Sequence, residues 1–163
     1  MIEKSENKKT LEEAVRFEID GREFFLKAAE KAKTYIAKVI FQTIAEEELD
    51  HIRRVKKIYE SDNVSEKQEI LHTASKETTL QNIFQKAREQ MGTDFSVNSD
   101  EREAIRLAIQ LEFKGHEFYN RLAQEATSDF EKTFYQHLAQ EELVHFSTLQ
   151  QMEEAITNST SFG

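Results

Sequence analysis

Apolar residues recur every three or four positions over four long stretches of the chain, the period of an amphipathic helix. Leu11, Ala14, Val15, Gly21, Phe25, Ala28, Ala29 and Ala32 form the first series and predict a helix over about 11–32, with Thr10 and Glu13 as a capping box at its start. Ile36, Ile40, Phe41, Ile44, Ala45, Ile52, Val55 and Ile58 predict a second helix over 35–60. Ile105, Ala108, Ile109, Gly115, Tyr119 and Leu122 predict a third over 100–126, opened by Asp100 with Glu103. Phe134, Tyr135, Leu138, Phe146, Leu149 and Met152 predict a fourth over 129–157, capped by Ser128 with Glu131. Residues 61–99 read as a long crossover carrying a short helix near 79–90, and the residues after 157 as frayed. The expected architecture is all-α, a four-helix bundle within a single domain spanning 1–163.

Sliding the chain by 94 residues lays the first two helices over the last two without a gap. Glu18 then falls on Glu112, Gly21 on Gly115, Glu23 on Glu117, Phe24 on Phe118, Ala45 on Ala139, Glu47 on Glu141, Glu48 on Glu142, Leu49 on Leu143 and His51 on His145. The chain is two copies of one helical hairpin, for which a pseudo-twofold bundle is expected.

Each apolar stripe is interrupted by a glutamate. Glu18 lies about 15 residues before the turn at Lys33 and Glu48 about 15 after it, so at ~1.5 Å of rise per residue both stand roughly 22 Å from that turn. The same reasoning about Thr127 sets Glu112 level with Glu142. Glu48 and His51 share a helix face, as do Glu142 and His145. Four carboxylates at one buried level cannot neutralise one another, and each is costly to ionise without a positive charge beside it. Two divalent cations would balance them, with two imidazoles completing the donor set. One Glu from each of two helices with Glu-x-x-His from the other two is the pattern of bundle di-iron and di-manganese sites. The expected metal donors are therefore Glu18, Glu48, His51, Glu112, Glu142 and His145.

Other polar residues are read more plainly. Glu69 and His72 repeat the Glu-x-x-His spacing in the crossover, but Val39 stands where the upstream glutamate would be, so the pair is taken as incidental. Glu23, Glu117, Glu47 and Glu141 point away from the stripe centres, toward a solvated face or a supporting position behind the donors. His116 and His137 flank the stripes and suit surface or inter-helix packing.

Composition narrows the chemistry. A net charge of −9 with a pI near 5.1 argues against a nucleic-acid groove. The absence of cysteine leaves no disulfide, thiolate zinc site or iron–sulfur centre, so any metal sits on nitrogen and oxygen. No proline interrupts the helices. The amino-terminal residues are polar and no run of about 18 apolar residues occurs, so no membrane partner is expected and the cytoplasm is the expected location.

EIDGREFF over 18–25 and EFKGHEFY over 112–119, with EELDH over 47–51 and EELVH over 141–145, resemble the helix signatures of the rubrerythrin family of the ferritin-like superfamily. The resemblance covers 11–157 and implies a ferritin-like bundle of two repeated hairpins around two iron ions, with manganese or zinc as alternatives. It implies that Glu48 and Glu142 bridge the metals, that Glu18 and Glu112 are terminal carboxylates, and that His51 and His145 are terminal imidazoles. Tyr119 fits a family tyrosine two turns after the outer glutamate, whereas its repeat mate is Phe25. Family members with peroxidase activity carry a further glutamate where this chain has Gly115, and restoring Glu there is expected to raise reaction with peroxide. The implied activity is reduction of hydrogen peroxide in oxidative stress, with electrons from a separate donor such as a rubredoxin and a homodimer as the expected assembly. Iron oxidation by oxygen is the alternative activity, and a non-enzymatic helical module the alternative class.

Overall fold

The computed structural model describes residues 2–60 and 97–160, with side-chain surroundings over 8–60 and 97–157. Among the described residues the elements are α1 (Ile2–Lys31), α2 (Tyr35–Glu60), α3 (Ser99–Glu125) and α4 (Asp129–Thr160). The short helix expected near 79–90, and Glu69 with His72, lie outside the described residues. No described helix is long and apolar enough to cross a membrane.

The protein is an all-α four-helix bundle. α1 packs along α2 and α3 along α4, so each repeat closes as a hairpin, and a thinner contact joins α1 to α3. Leu, Ala, Glu, Lys and Gln favour these helices intrinsically, but most of the stability comes from burying the apolar stripes. Two apolar clusters result. One contains Phe25, Ile36, Ile40, Phe41, Ile44, Ile105, Leu149, Met152 and Ile156, with residues from all four helices. The other contains Ala14, Val55, Ile58, Tyr119, Leu122, Phe134, Tyr135 and Leu138, again from all four. Along every helix the glutamate level falls between them. Full burial of one large apolar side chain contributes ~1.5–3 kcal/mol, so these two layers can hold a polar level that is unfavourable by itself. The buried Tyr135 hydroxyl is paired with that of Tyr59, as a phenol in an apolar cluster requires.

Two helix starts differ from expectation. α1 continues through Thr10 to Ile2, because residues 2–9 hold no proline or glycine to stop it and a capping pattern inside a run of helix formers does not create an end. α3 is capped two residues earlier than Asp100 with Glu103 would place it: Asn98 Oδ1 accepts from Glu101 N at 2.8 Å, and Asn98 N donates to Glu101 Oε1 at 3.0 Å. At α4 the expected cap is present, with Glu131 N donating to Ser128 Oγ at 3.1 Å. Thr34, the repeat mate of Ser128, caps α2 by accepting from Ala37 N at 3.4 Å. α4 also runs on to Thr160 instead of fraying after 157.

Glu101 has a second task. Its Oε2 accepts from Lys33 N at 3.1 Å, Thr34 N at 2.9 Å and Thr34 Oγ1 at 2.8 Å, so one carboxylate closes the start of α3 and the α1–α2 turn together. This side chain is only 4% exposed and ties the second repeat to the first. Burial alone would raise its pKa, but the backbone amides of Thr34 and Asn98, the Thr34 hydroxyl and the Lys33 amide hold it below the ordinary carboxylate value. A group depressed in the folded state stabilises above its unfolded pKa, and that contribution is lost as pH falls through the folded value. Glu101→Gln should therefore cost about 1–3 kcal/mol near neutral pH. In thermal melts the gap from the parent should stay constant down to about pH 5 and shrink below the ordinary glutamate value of about 4.3. A gap of the same size at pH 3 and pH 7 would show that the charge plays no part.

Candidate metal centre

The period of each helix carries its glutamate into the interior at one level, and the hairpins bring the four together. Glu18, Glu48, Glu112 and Glu142 are at most 3% exposed, as are His51 and His145. Their donor atoms form two groups. Glu18, Glu48, His51 and Glu142 make one, Glu48, Glu112, Glu142 and His145 the other, and within each group one donor atom per residue lies within 4.8 Å of the rest. Glu48 and Glu142 belong to both. The two imidazoles face across the site with ring centroids 6.3 Å apart and planes 10° from parallel. His51 Nδ1 is 3.2 Å from Glu18 Oε1 and 3.1 Å from Glu142 Oε1, and His145 Nδ1 is 3.3 Å from Glu112 Oε2. The six residues expected from the sequence are thus brought together, and each group offers oxygen and nitrogen atoms converging on one point.

Two observations fit this cradle to cations. Glu18 Oε2 and Glu112 Oε1 are buried with no hydrogen-bond partner among the described residues, which is costly for a carboxylate oxygen unless a positive charge meets it. The donor set also matches the carboxylate and imidazole preferences of iron, manganese and zinc. The profile of the rubrerythrin family matches residues 9–153. This chain belongs to the rubrerythrin family. Searches of curated proteins and of solved structures return no significant match. Membership implies a di-iron centre, and in this chain the two groups sharing Glu48 and Glu142 are where a metal pair could be held.

The electrostatics show how the residues manage their own charge. Burial, with Glu142 and Glu18 close by, pushes Glu48 well above the ordinary carboxylate range. Burial and the neighbouring Glu112 do the same to Glu142. Burial would raise Glu18 as well, but the His51 charge and hydrogen bonds from Glu48, His51 and Tyr119 hold it lowered. Burial disfavours the imidazolium forms, yet Glu18 beside His51, and Glu112 with Glu47 beside His145, raise both histidines well above their usual value. All four shifts favour the protonated forms of Glu48, Glu142, His51 and His145, so protons can offset part of the charge that cations would otherwise meet. Metal binding to such a set must release protons.

Behind the donors lies a further row. Glu47 meets His145 Nε2, and Glu141 Oε1 lies 3.8 Å from His51 Nε2, so each hairpin turns a carboxylate toward the outer nitrogen of the other hairpin's histidine. The supporting position expected for these two glutamates is the one they occupy, and the solvated face is not, since their side chains are only 18% and 16% exposed. A carboxylate on the outer imidazole nitrogen fixes the ring and strengthens the inner nitrogen as a donor. Arg54, not anticipated from the sequence, is buried and holds Glu141 with two hydrogen bonds of 2.8 Å. Its only signal was a position one turn beyond His51, where an arginine on an apolar face needs a partner. Tyr119 donates its hydroxyl to Glu18 Oε1, whereas the repeat mate Phe25 has none to give. His116 serves packing, with Nδ1 2.9 Å from Ala139 O.

The paired glycines are not equivalent. A Cβ at Gly21 would stand 3.5 Å from Glu48 Oε2, an ordinary contact. At Gly115 it would stand 2.9 Å from Glu142 Oε2, 3.1 Å from Glu142 Cδ and 3.3 Å from Phe17 Cε1. Glycine at 115 therefore lets the shared carboxylate of Glu142 lie against α3. A side chain at 115 would have to shift the carboxylate end of Glu142, so a glutamate introduced there would act on a shared donor as well as add a carboxylate. A pair of alanine variants tests this. Gly21→Ala should stabilise the apo-protein by ~0.5–1 kcal/mol through helix propensity with little change in metal affinity. Gly115→Ala should gain less stability and lose metal affinity, measured by thermal melting and by metal titration with proton release. Equal metal affinity in both variants would contradict the role given to the Glu142 contact.

Proposed function

We propose that the protein is a di-iron oxidoreductase of rubrerythrin type that reduces hydrogen peroxide with electrons from a separate one-electron donor such as a rubredoxin. Glu48 and Glu142 would be shared between the metals, Glu18 and Glu112 would each serve one, and His51 and His145 would complete the two sets. The observation that carries this reading is the pair of buried donor groups with two members in common. The pair of ferrous ions would supply two electrons together, which matches the demand of the O–O bond.

The residues around the donors support a small neutral oxidant. A cavity of about 310 Å³ between α1 and α3 is lined by Phe17, Asp20, Gly21, Phe24, Phe25 and Leu111 and reaches Glu48, Glu112 and Glu142. Its phenylalanine walls, with Asp20 and the donor carboxylates, disfavour an anionic substrate, while peroxide and oxygen are uncharged. Gly21, which has no side chain, lines this cavity beside Glu48. Peroxide reduction consumes two protons with two electrons. Tyr119, whose hydroxyl proton rests on Glu18, is a proton-holding group inside the site, and burial beside Glu18 keeps that phenol protonated well above its usual range. The homodimer and a cytoplasmic setting belong to the same proposal.

Gly115 favours one rival, since the further glutamate associated with peroxidase activity in the family is absent and the same centre would then oxidise ferrous iron with oxygen. Rapid mixing of the reduced, iron-loaded protein separates the two. Peroxide should oxidise it faster than oxygen does, and an added rubredoxin-type donor should sustain turnover without consuming iron. Faster oxidation by oxygen, with ferric mineral accumulating, would assign the protein to iron handling.

A further inference from the structure

The two halves of the site are related by the repeat, yet two departures from that relation fall on the same side. The outer nitrogen of His145 is in direct contact with Glu47. The matching contact of His51 is open to 3.8 Å, beyond hydrogen-bond distance, because both oxygens of Glu141 are taken at 2.8 Å by the Arg54 guanidinium. Arg54 is itself held in place, with Nε 3.0 Å from Asp50 Oδ2, and only 6% of it is exposed. Its repeat mate is Thr148, a neutral side chain whose hydroxyl donates to Val144 O at 2.8 Å. The second departure concerns the outer carboxylates. Tyr119 donates a hydrogen bond to Glu18, and the residue in the equivalent place toward Glu112 is Phe25.

Both departures weaken the same set of donors. An imidazole whose outer N–H is given to a carboxylate is a stronger ligand at its inner nitrogen, and a carboxylate already neutralised by a bidentate arginine confers less of this. The guanidinium charge also stands closer to the His51 side, where it opposes a cation. Glu18, which shares an oxygen with the Tyr119 hydroxyl, has less charge to offer than a carboxylate without that bond. We infer that the metal pair is built unequal: the position formed by Glu18, His51, Glu48 and Glu142 binds its cation more weakly than the position formed by Glu112, His145, Glu48 and Glu142, and Arg54 and Tyr119 are the residues that make it so. The His51 position fills last and empties first, so this protein exchanges one metal ion while retaining the other. The inference rests on the metal-pair reading of the preceding section and adds an order of occupancy to it.

The test is anaerobic titration of the metal-free full chain with ferrous ion, and with cobalt(II) as a spectroscopic probe, reading stoichiometry and the two dissociation constants. Mutual repulsion separates the two steps even in a symmetric site, so the assignment of each step decides. His51→Gln should abolish the weaker step and leave the tighter one, and His145→Gln should abolish the tighter one. Arg54→Met frees Glu141 to meet His51 and should tighten the weaker step by about tenfold, the lower end of the range for residues behind metal ligands, with the tighter step unmoved. Arg54→Lys, which keeps the charge without the fork, should fall between. Tyr119→Phe, a minimal change that preserves the ring, should tighten the same step and serves if Arg54→Met does not fold. A purely structural role for Arg54 would loosen both steps together and overturn the inference, as would loss of the tighter step in His51→Gln. Two bound ions with constants indifferent to Arg54 and Tyr119 would defeat the inequality alone, whereas fewer than two ions in the unaltered protein would defeat the metal-pair reading beneath it.

Discussion

Four glutamates held at one level between two apolar layers set the terms for the rest of this molecule. None of them can be left ionised there without a positive charge nearby, and none can be moved without disturbing the helix that carries it. Protons on Glu48, Glu142, His51 and His145 offer one compensation and divalent cations offer another. The two apolar clusters on either side contribute the stability against which this cost is set. Folding and metal binding are therefore coupled through the same side chains, and a site of this kind is a weak point of the fold until its charges are matched.

The repeat explains why the site exists, and its breaks explain how the two halves differ. Two copies of one hairpin place each glutamate and histidine opposite its mate, and the shared Glu48 and Glu142 follow from that symmetry. A strictly symmetric pair would give both positions the same donor strength. Arg54 against Thr148, Tyr119 against Phe25 and the tight contact at Gly115 against the looser one at Gly21 each break the equivalence. Two ions held by donors that share Glu48 and Glu142 would then differ in affinity without any change in the ligand types.

Outside the site, Glu101 holds the two hairpins in relation to each other. The contact between α1 and α3 is thin, and the cavity that reaches the shared carboxylates lies there. A carboxylate that serves the α1–α2 turn and the α3 start together fixes the spacing of the two repeats at one end of that gap. Access and rigidity are thereby separated: the wall is sparse at the level of the donors and tied at the level of the turn.

The sequence by itself determined the four helices, their pairing as repeated hairpins, the family and the six residues that meet at the core, because helical period and repeat spacing are local properties that fix which face and which height a side chain takes. It placed the α4 cap correctly at Ser128, but not the cap of α3, where Asn98 with Glu101 offers the same local pattern as Asp100 with Glu103 and Glu101 is also held by Thr34, 67 residues away. Thr10 offered a cap pattern that the helix formers before it overrode. Tertiary structure alone decided that Glu47 and Glu141 turn back to the histidines of the opposite hairpin, that Arg54 draws Glu141 away from His51, and that Gly115 is filled by the Glu142 carboxylate while Gly21 is not. These are contacts between helices, set by how two stripes interlock over a few ångströms, and no spacing along one chain encodes which of two equivalent neighbours a flexible side chain will choose.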